Sequence, residues 1–338
     1  MGLTKAQLSL IAKAQSQGAG EQGVALSDEA CSYLLALLVR DLKLGRQFPE
    51  LDVPLLPFFG AARLDRMAIR NCDFLHLFER LVRVQEDADT YFSCLATLHK
   101  ARLKYERILR TQSFPTFEQV GPRGLLQYGT MTSKSLASFL LWRKWMFDID
   151  NRSAQETGYV FEPIIASAIG GVPMGPKNSP IRRRRDRSKG RQVDCIRPGR
   201  KAYEIKIRVT IAASGQGRWQ EELAFPSDCR ASGYTPVLLV LDPTPNPKLE
   251  ELRDEFVRHR GEVYVGAAAW AHLDAAAGKT LGQFLETYVH KPLQALLAET
   301  PSSERALPEM LVRTTGSQLS VSIGGDSFVV ERDVDSFQ

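Results

Sequence analysis

The run TPVLLVLD, Thr235 to Asp242, is the feature that most limits how this chain folds. It is short, rich in branched apolar residues, and apolar at nearly every position. A strand that faces water on one side alternates apolar with polar residues, so a continuous apolar strand has to be covered on both faces. Helices supply that cover, and helical patterns stand on either side: GRWQEELAFPSDCRASG, helical in part, before it, and PKLEELRDEFVRHRG after it, followed by a second short strand, EVYVG. Strands alternating with helices pair in parallel through crossover connections. The expected fold is therefore α/β, with a mixed central sheet flanked by helices.

Upstream, QVDCI and AYEIKIRVT are joined by RPGRK. The pair reads as a β-hairpin with Pro198-Gly199 as its turn signal. Side chains alternate along a strand, so Tyr203, Ile205, Ile207 and Val209 share one face while Glu204, Lys206, Arg208 and Thr210 share the other. The hairpin sets Asp194 beside Glu204, with Lys206 next to them. Two adjacent carboxylates repel unless a cation sits between them. A hard divalent ion suits such a pair, and magnesium accepts a few carboxylates while keeping its waters. An ion of that kind lowers the pKa of a bound water and stabilises charge on a phosphoryl oxygen. The plainer alternative is a solvated strand face with a cross-strand ion pair, and the tripeptide Glu204-Ile205-Lys206 alone does not choose between the two.

Three further features bear on that choice: the acid on the preceding strand, a Gly158-Tyr-Val-Phe-Glu162 segment ahead of the hairpin, and the apolar strand and helix that follow. The whole, D-x9-E-x-K across two strands, resembles the PD-(D/E)XK nuclease superfamily over roughly residues 150–270, with Val193 where the family often has proline. The resemblance implies a restriction-endonuclease-like core in which Asp194 and Glu204 bind Mg2+ with the Ile205 carbonyl as an extra ligand. It also implies Lys206 as the catalytic lysine and Glu162 as an auxiliary acid. Glu162 has a plainer reading as an acid in the first turn of a helix, ahead of Pro163. Glu156, three after Ser153, reads as part of a capping box.

A single chain with such a core and a large helical addition looks most like a type II restriction endonuclease. The stretch EIKIRVTIAASGQGRWQEELAFPSDCRASGYTPVLLVLDPTPNPKL is similar to the ApaLI-like group of these enzymes. That implies Mg2+-dependent hydrolysis of double-stranded DNA at a short palindrome, with GTGCAC the first site to try, leaving a 5′-phosphate and a 3′-hydroxyl. It also implies a homodimer, since each subunit of a two-fold pair reads one half-site. A Holliday-junction or repair nuclease with the same core is the alternative. Beyond it stand a DNA-binding protein that does not cut and a helical scaffold that binds RNA.

The net charge is only +5, but residues 182–191, RRRRDRSKGR, concentrate positive charge. Arg182, Arg183, Arg184, Arg185, Arg187 and Arg191 are candidate phosphate contacts, which position a protein on DNA without specifying sequence; a solvated loop is the alternative. Arg208 extends the polar face toward them. Gly215-Gln216-Gly217-Arg218-Trp219 is a candidate base-reading loop, because Gln pairs with adenine and Arg with guanine; a plain loop leading into a helix is its alternative. It lacks the third glycine of a dinucleotide-binding loop, so no nucleotide cofactor is expected.

The five cysteines include no CxxC pair and read as reduced thiols. The histidines form no HxxxH or HxH pair, which argues against zinc. No run of about 18 apolar residues exists, so no membrane span is expected, and a bacterial cytoplasmic protein is the expected setting. Residues 1–150 read as a helical region for dimerisation or DNA embrace. Residues 151–338 read as the nuclease domain, ending in a C-terminal β-hairpin from Leu311 to Glu331.

Overall fold

The computed structural model describes residues 2–18, 22–59, 64–116, 118–120, 131–157, 160–207, 216–245, 247–299 and 308–333. The N-terminal part is helical, as expected: α1 (Lys5–Gln15), α2 (Asp28–Asp41), α3 (Phe74–Val84), α4 (Ala88–Thr111) and α5 (Ser133–Thr157). A short helix α6 (Phe161–Ala168) leads into a five-stranded sheet. Its strands are β1 (Val172–Met174), β2 (Val193–Arg197), β3 (Lys201–Lys206), β4 (Thr235–Val240) and β5 (Glu262–Val265), in that spatial order. The first two pairings are antiparallel and the last two parallel, so the sheet is mixed. The parallel crossovers are made by α7 (Gln216–Ala231) and α8 (Pro247–Arg258); α9 (Ala267–Leu285), a π-turn and α10 (Lys291–Ala298) follow.

The apolar strand is covered on both faces. Val237, Leu239 and Leu241 join a core that includes α2, α3, α4, α6 and α9, whereas Leu238 and Val240 join a second core with Trp219, Phe225, Leu252 and Phe256 of α7 and α8. The first core crosses residue 150, so the helices before it and the sheet after it share one interior. Exposing any one of these side chains would cost about 1.5–3 kcal/mol.

The hairpin turn follows its signal. Gly199 has φ +79, a backbone conformation in which a side chain would be strained, and it follows Pro198, which is preset for the preceding turn position. Elsewhere the structure corrects four expectations. The run RLDRMAIRNCDFLHLFERLVRV, Arg63 to Val84, reads as helical from its apolar spacing, but the helix begins only at Phe74, because Asn71 adopts φ +60 and the Asp73 side chain accepts the His76 N–H at 3.0 Å to cap a new start. Ser153 does not begin a helix: it lies inside one that runs through to Thr157, and its hydroxyl donates to the Ile149 carbonyl at 2.7 Å. The capping box read at Ser153 and Glu156 therefore has no helix start to cap, and the Glu156 side chain lies outside the described residues. Strand β1 was not expected, and it lies at the sheet edge where its Pro173 is tolerated. The tail holds three antiparallel strands rather than two, β6 (Met310–Thr315), β7 (Gln318–Ile323) and β8 (Asp326–Glu331), joined by tight turns at Gly316 and Gly324. Leu319 and Val321 of the middle strand seat it on Ile108, Trp145 and Ile149 of α4 and α5.

Candidate active site

The β2–β3 ladder pairs Ile196 with Ala202 and Cys195 with Tyr203. One step further in the same register, Asp194 faces Glu204. There the ladder gives way to a side chain: the Asp194 carboxylate accepts the Ile205 N–H at 2.9 Å. Lys206 donates to Glu204 Oε1 at 3.1 Å and lies 3.3 Å from Glu222 Oε2 of α7. These side chains, with Glu162, line one open cleft of about 630 Å³.

Each acid reaches the cleft from an inward-facing position. Glu162 sits three, four and seven residues before Ile165, Ala166 and Ile169, all buried. Glu222 lies on the stripe of Trp219, Phe225 and Cys229, also buried. Positions at these spacings share one helix face, which here is the face turned to the sheet. Burying carboxylates without partners is unfavourable, and the cleft brings Glu162, Asp194, Glu204 and Glu222 around the one ammonium of Lys206.

The electrostatics carry the mark of that imbalance. Burial, and then the neighbouring Glu204 charge, hold the Asp194 carboxyl well above the usual aspartate range. Burial likewise pushes Glu162 up. Burial opposes the charge on Lys206, but Glu204 and Glu222 outweigh it and hold the ammonium above the usual lysine range. With both acids ionised, Lys206 carries its positive charge. Among the described residues no three His, Cys, Asp or Glu side chains group closely enough to hold an ion by themselves. Two carboxylates with room for water and phosphate are a donor set that suits magnesium, which favours few protein ligands.

The basic segment is built rather than loose. Arg182 and Gly190 bridge its two ends, and a Cβ at Gly190 would run into the Pro176 carbonyl. The Asp228 carboxylate accepts the Arg184 N–H at 2.8 Å and pairs with the Arg191 guanidinium at 2.6 Å. Arg191 is buried, also donates to the Glu221 carbonyl, and lies against the Phe225 ring. It anchors the segment and also lines the cleft. Arg183 pairs with Glu221 at 2.6 Å. Arg182, Arg184, Arg185 and Arg187 point outward, and among the described residues their side chains make no ion pair.

Trp219 is also interior: it is 7% exposed, and its indole N–H donates to Glu251 at 3.0 Å. It belongs to the core between α7 and α8. Arg208 and Gly215 lie outside the described residues. Gln216 and Arg218 open α7, and their side chains lie outside the described residues. The sequence pattern alone does not single out Glu222; an acid on the apolar stripe W-x-x-E-x-x-F-x-x-x-C was the available signal.

The profile of the ApaLI-like restriction endonuclease family matches residues 64–290. The chain belongs to this family. Among its relatives, the type II restriction enzyme ApaLI of Acetobacter pasteurianus is 46% identical over 279 residues, which covers 79% of this chain and 74% of the relative. The match begins well before the hairpin, so the ApaLI-like likeness takes in α3, α4 and α5 as well as the sheet. No solved structure matches the chain. No helix among the described residues is long and apolar enough to cross a membrane.

Proposed function

We propose that this ApaLI-like restriction endonuclease hydrolyses one phosphodiester bond per strand of duplex DNA at a short palindrome, with GTGCAC as the first site to test. The observation that carries the reading is the convergence of Asp194, Glu204 and Lys206 in one open cleft with more carboxylate than ammonium. The five-stranded mixed sheet, covered by helices on both faces, supports a restriction-endonuclease-like core.

Asp194 and Glu204 would hold Mg2+, and the Ile205 carbonyl would add a backbone oxygen. The N–H and C=O of one strand residue point to the same edge. Ile205 N–H faces Asp194, while the next carbonyl, that of Lys206, turns the other way to accept Leu241 N–H. When bound, the ion supplies water acidification and charge stabilisation at the phosphate. Lys206 holds its ammonium over the developing negative charge and orients the attacking water. Glu162, kept from ready ionisation by burial, stands by as the auxiliary acid. Attack in line with the 3′ oxygen leaves a 5′-phosphate and a 3′-hydroxyl.

Arg182, Arg184, Arg185 and Arg187 present a positive arm whose base is fixed by Arg191 and Asp228, and they are the phosphate contacts of this reading. A palindromic site calls for two copies related by a two-fold axis, and residues 1–150 would supply dimer contacts, DNA-embracing arms or both. The test is digestion of a sequenced plasmid with magnesium, followed by sequencing of the ends. Discrete cuts at one palindrome with 5′-phosphate ends are expected. Absence of cutting, or cutting only at four-way junctions, overturns the reading.

A further inference from the structure

We propose that Glu222 is a positioning residue that keeps the Lys206 ammonium aimed into the cleft once Glu204 is engaged with the cation. The inference rests on the proposed function and deepens it. Lys206 has two carboxylate partners, Glu204 at 3.1 Å and Glu222 at 3.3 Å. Glu204 also faces Asp194, and that pair is the candidate holder of the ion. An acid that donates its charge to a divalent ion is a weaker anchor for a neighbouring ammonium. A lysine has a long flexible stem and a single charged point, so one weakened contact leaves it many rotamers. Glu222 reaches it from a different element and has no place opposite Asp194, so its grip on Lys206 survives occupancy of the site.

The helix that carries Glu222 is fixed in register from several sides. Trp219 is tied to Glu251 of α8 at 3.0 Å, and Asp228 is tied to Arg191 at 2.6 Å. The Glu221 carbonyl also accepts from Arg191. The adjacent acids have separate tasks: Glu221 faces outward and pairs with Arg183 of the basic arm, while Glu222 faces inward and pairs with Lys206. Glu162 lies in the same cleft and acts on Lys206 through its field, but the ion pairs of Lys206 are with Glu204 and Glu222. One turn of α7 thus connects the arm to the catalytic lysine.

The full-length protein tests this with Glu222→Gln and Glu222→Asp, each assayed for kcat and KM on a duplex carrying the cleavage site, for the half-saturating Mg2+ concentration, and for Tm. Glu222→Gln should lower kcat by about 10²-fold, the usual penalty of a misplaced catalytic group. KM and the Mg2+ requirement should stay within about twofold, because substrate and ion binding do not run through this contact. Glu222→Asp retains the charge and should recover most of the rate. A Glu222→Gln enzyme with wild-type kcat overturns the proposal. So does a large rise in the Mg2+ requirement, which would make Glu222 a ligand, or an equal loss in both variants with a fall in Tm, which would make its role one of packing. If the wild-type protein does not cut, the nuclease reading itself has failed; if it cuts and Glu222→Gln cuts equally well, only this inference has.

Discussion

The two ends of β3 both carry a polar cluster, and they are opposites. At the start of the strand Lys201 meets Glu262 at 2.7 Å, Tyr264 donates to the same acid at 2.9 Å, and Tyr203 shares a hydrogen bond with His272 at 3.1 Å. Here one base faces one acid. Burial opposes the charge on Glu262, but the Lys201 and Tyr264 hydrogen bonds outweigh it and hold the carboxyl below the usual glutamate range. At the other end Asp194, Glu204, Glu162 and Glu222 gather around Lys206, and burial leaves Asp194 and Glu162 above the usual range. The first cluster is complete in itself. The second is short of positive charge and open to solvent, which is what the proposed binding of a cation and a phosphate requires. The ion pair that the sequence allowed at Glu204 and Lys206 is formed, and a second pair, Lys201 with Glu262, stands at the other end of the strand.

Removing one charge at each end should have very different consequences. Asp194→Ala, Glu204→Ala and Lys206→Ala should each lower the single-turnover cleavage rate by about 10³-fold or more, the scale of losing a group that stabilises the transition state. Lys201→Ala and Glu262→Gln should leave it within about twofold. Equal losses at both ends would remove the distinction. Chelation of divalent ions should abolish cleavage by the wild type, with activity returning on addition of Mg2+.

A smaller effect belongs to the arm beside the open end. Replacing Arg184 and Arg185 together by alanine should weaken duplex binding about tenfold at moderate salt. The slope of log K against log salt should also become shallower, by about one for each phosphate that is no longer neutralised. Arg191→Ala should act differently. It leaves Asp228 buried without its partner, so its main effect is a lower Tm, of the size expected for breaking a buried pair, about 3–5 kcal/mol.

The smallest effects are in stability and have opposite signs at the two ends. A carboxyl raised in the folded state binds protons more tightly there than when unfolded. Its penalty is present at neutral pH and is relieved as pH falls through the raised value. Asp194→Asn should therefore raise Tm at pH 7 without Mg2+. The gain over wild type should shrink toward pH 5. Glu262 is the reverse case: its stabilising contribution is present above its unfolded pKa and is lost only as pH falls through its depressed one. Glu262→Gln should cost about 0.5 kcal/mol at pH 7, since the pair is partly exposed and screened. Scanning calorimetry of the two variants from pH 7 down to pH 3 checks both signs.

Much of this was legible in the chain because the signals were local. The apolar run at Thr235–Val240 dictated helices on both faces, and Pro198-Gly199 with period-two alternation set the register that faces Asp194 with Glu204. What was not legible depended on distant partners. Arg191 looks like one more base in a basic run until Asp228, 37 residues away, accounts for it. Trp219 looks like a surface reader until the α7–α8 core claims it. Strand β1 has three residues, one of them proline, too short to show a period. Glu222 was hidden by the reverse problem: its neighbours made α7 read as an ordinary amphipathic helix.

Metal binding separates the two ends of β3. Manganese, a paramagnetic stand-in for magnesium, should be titrated into the wild-type protein, an Asp194→Asn/Glu204→Gln double variant and Glu262→Gln, with loss of the free-ion EPR signal as the readout. Saturable binding by the wild type and by Glu262→Gln, and its absence in the double variant, is the predicted result. Unchanged binding in the double variant would contradict it, because the ion would then lie somewhere other than between Asp194 and Glu204.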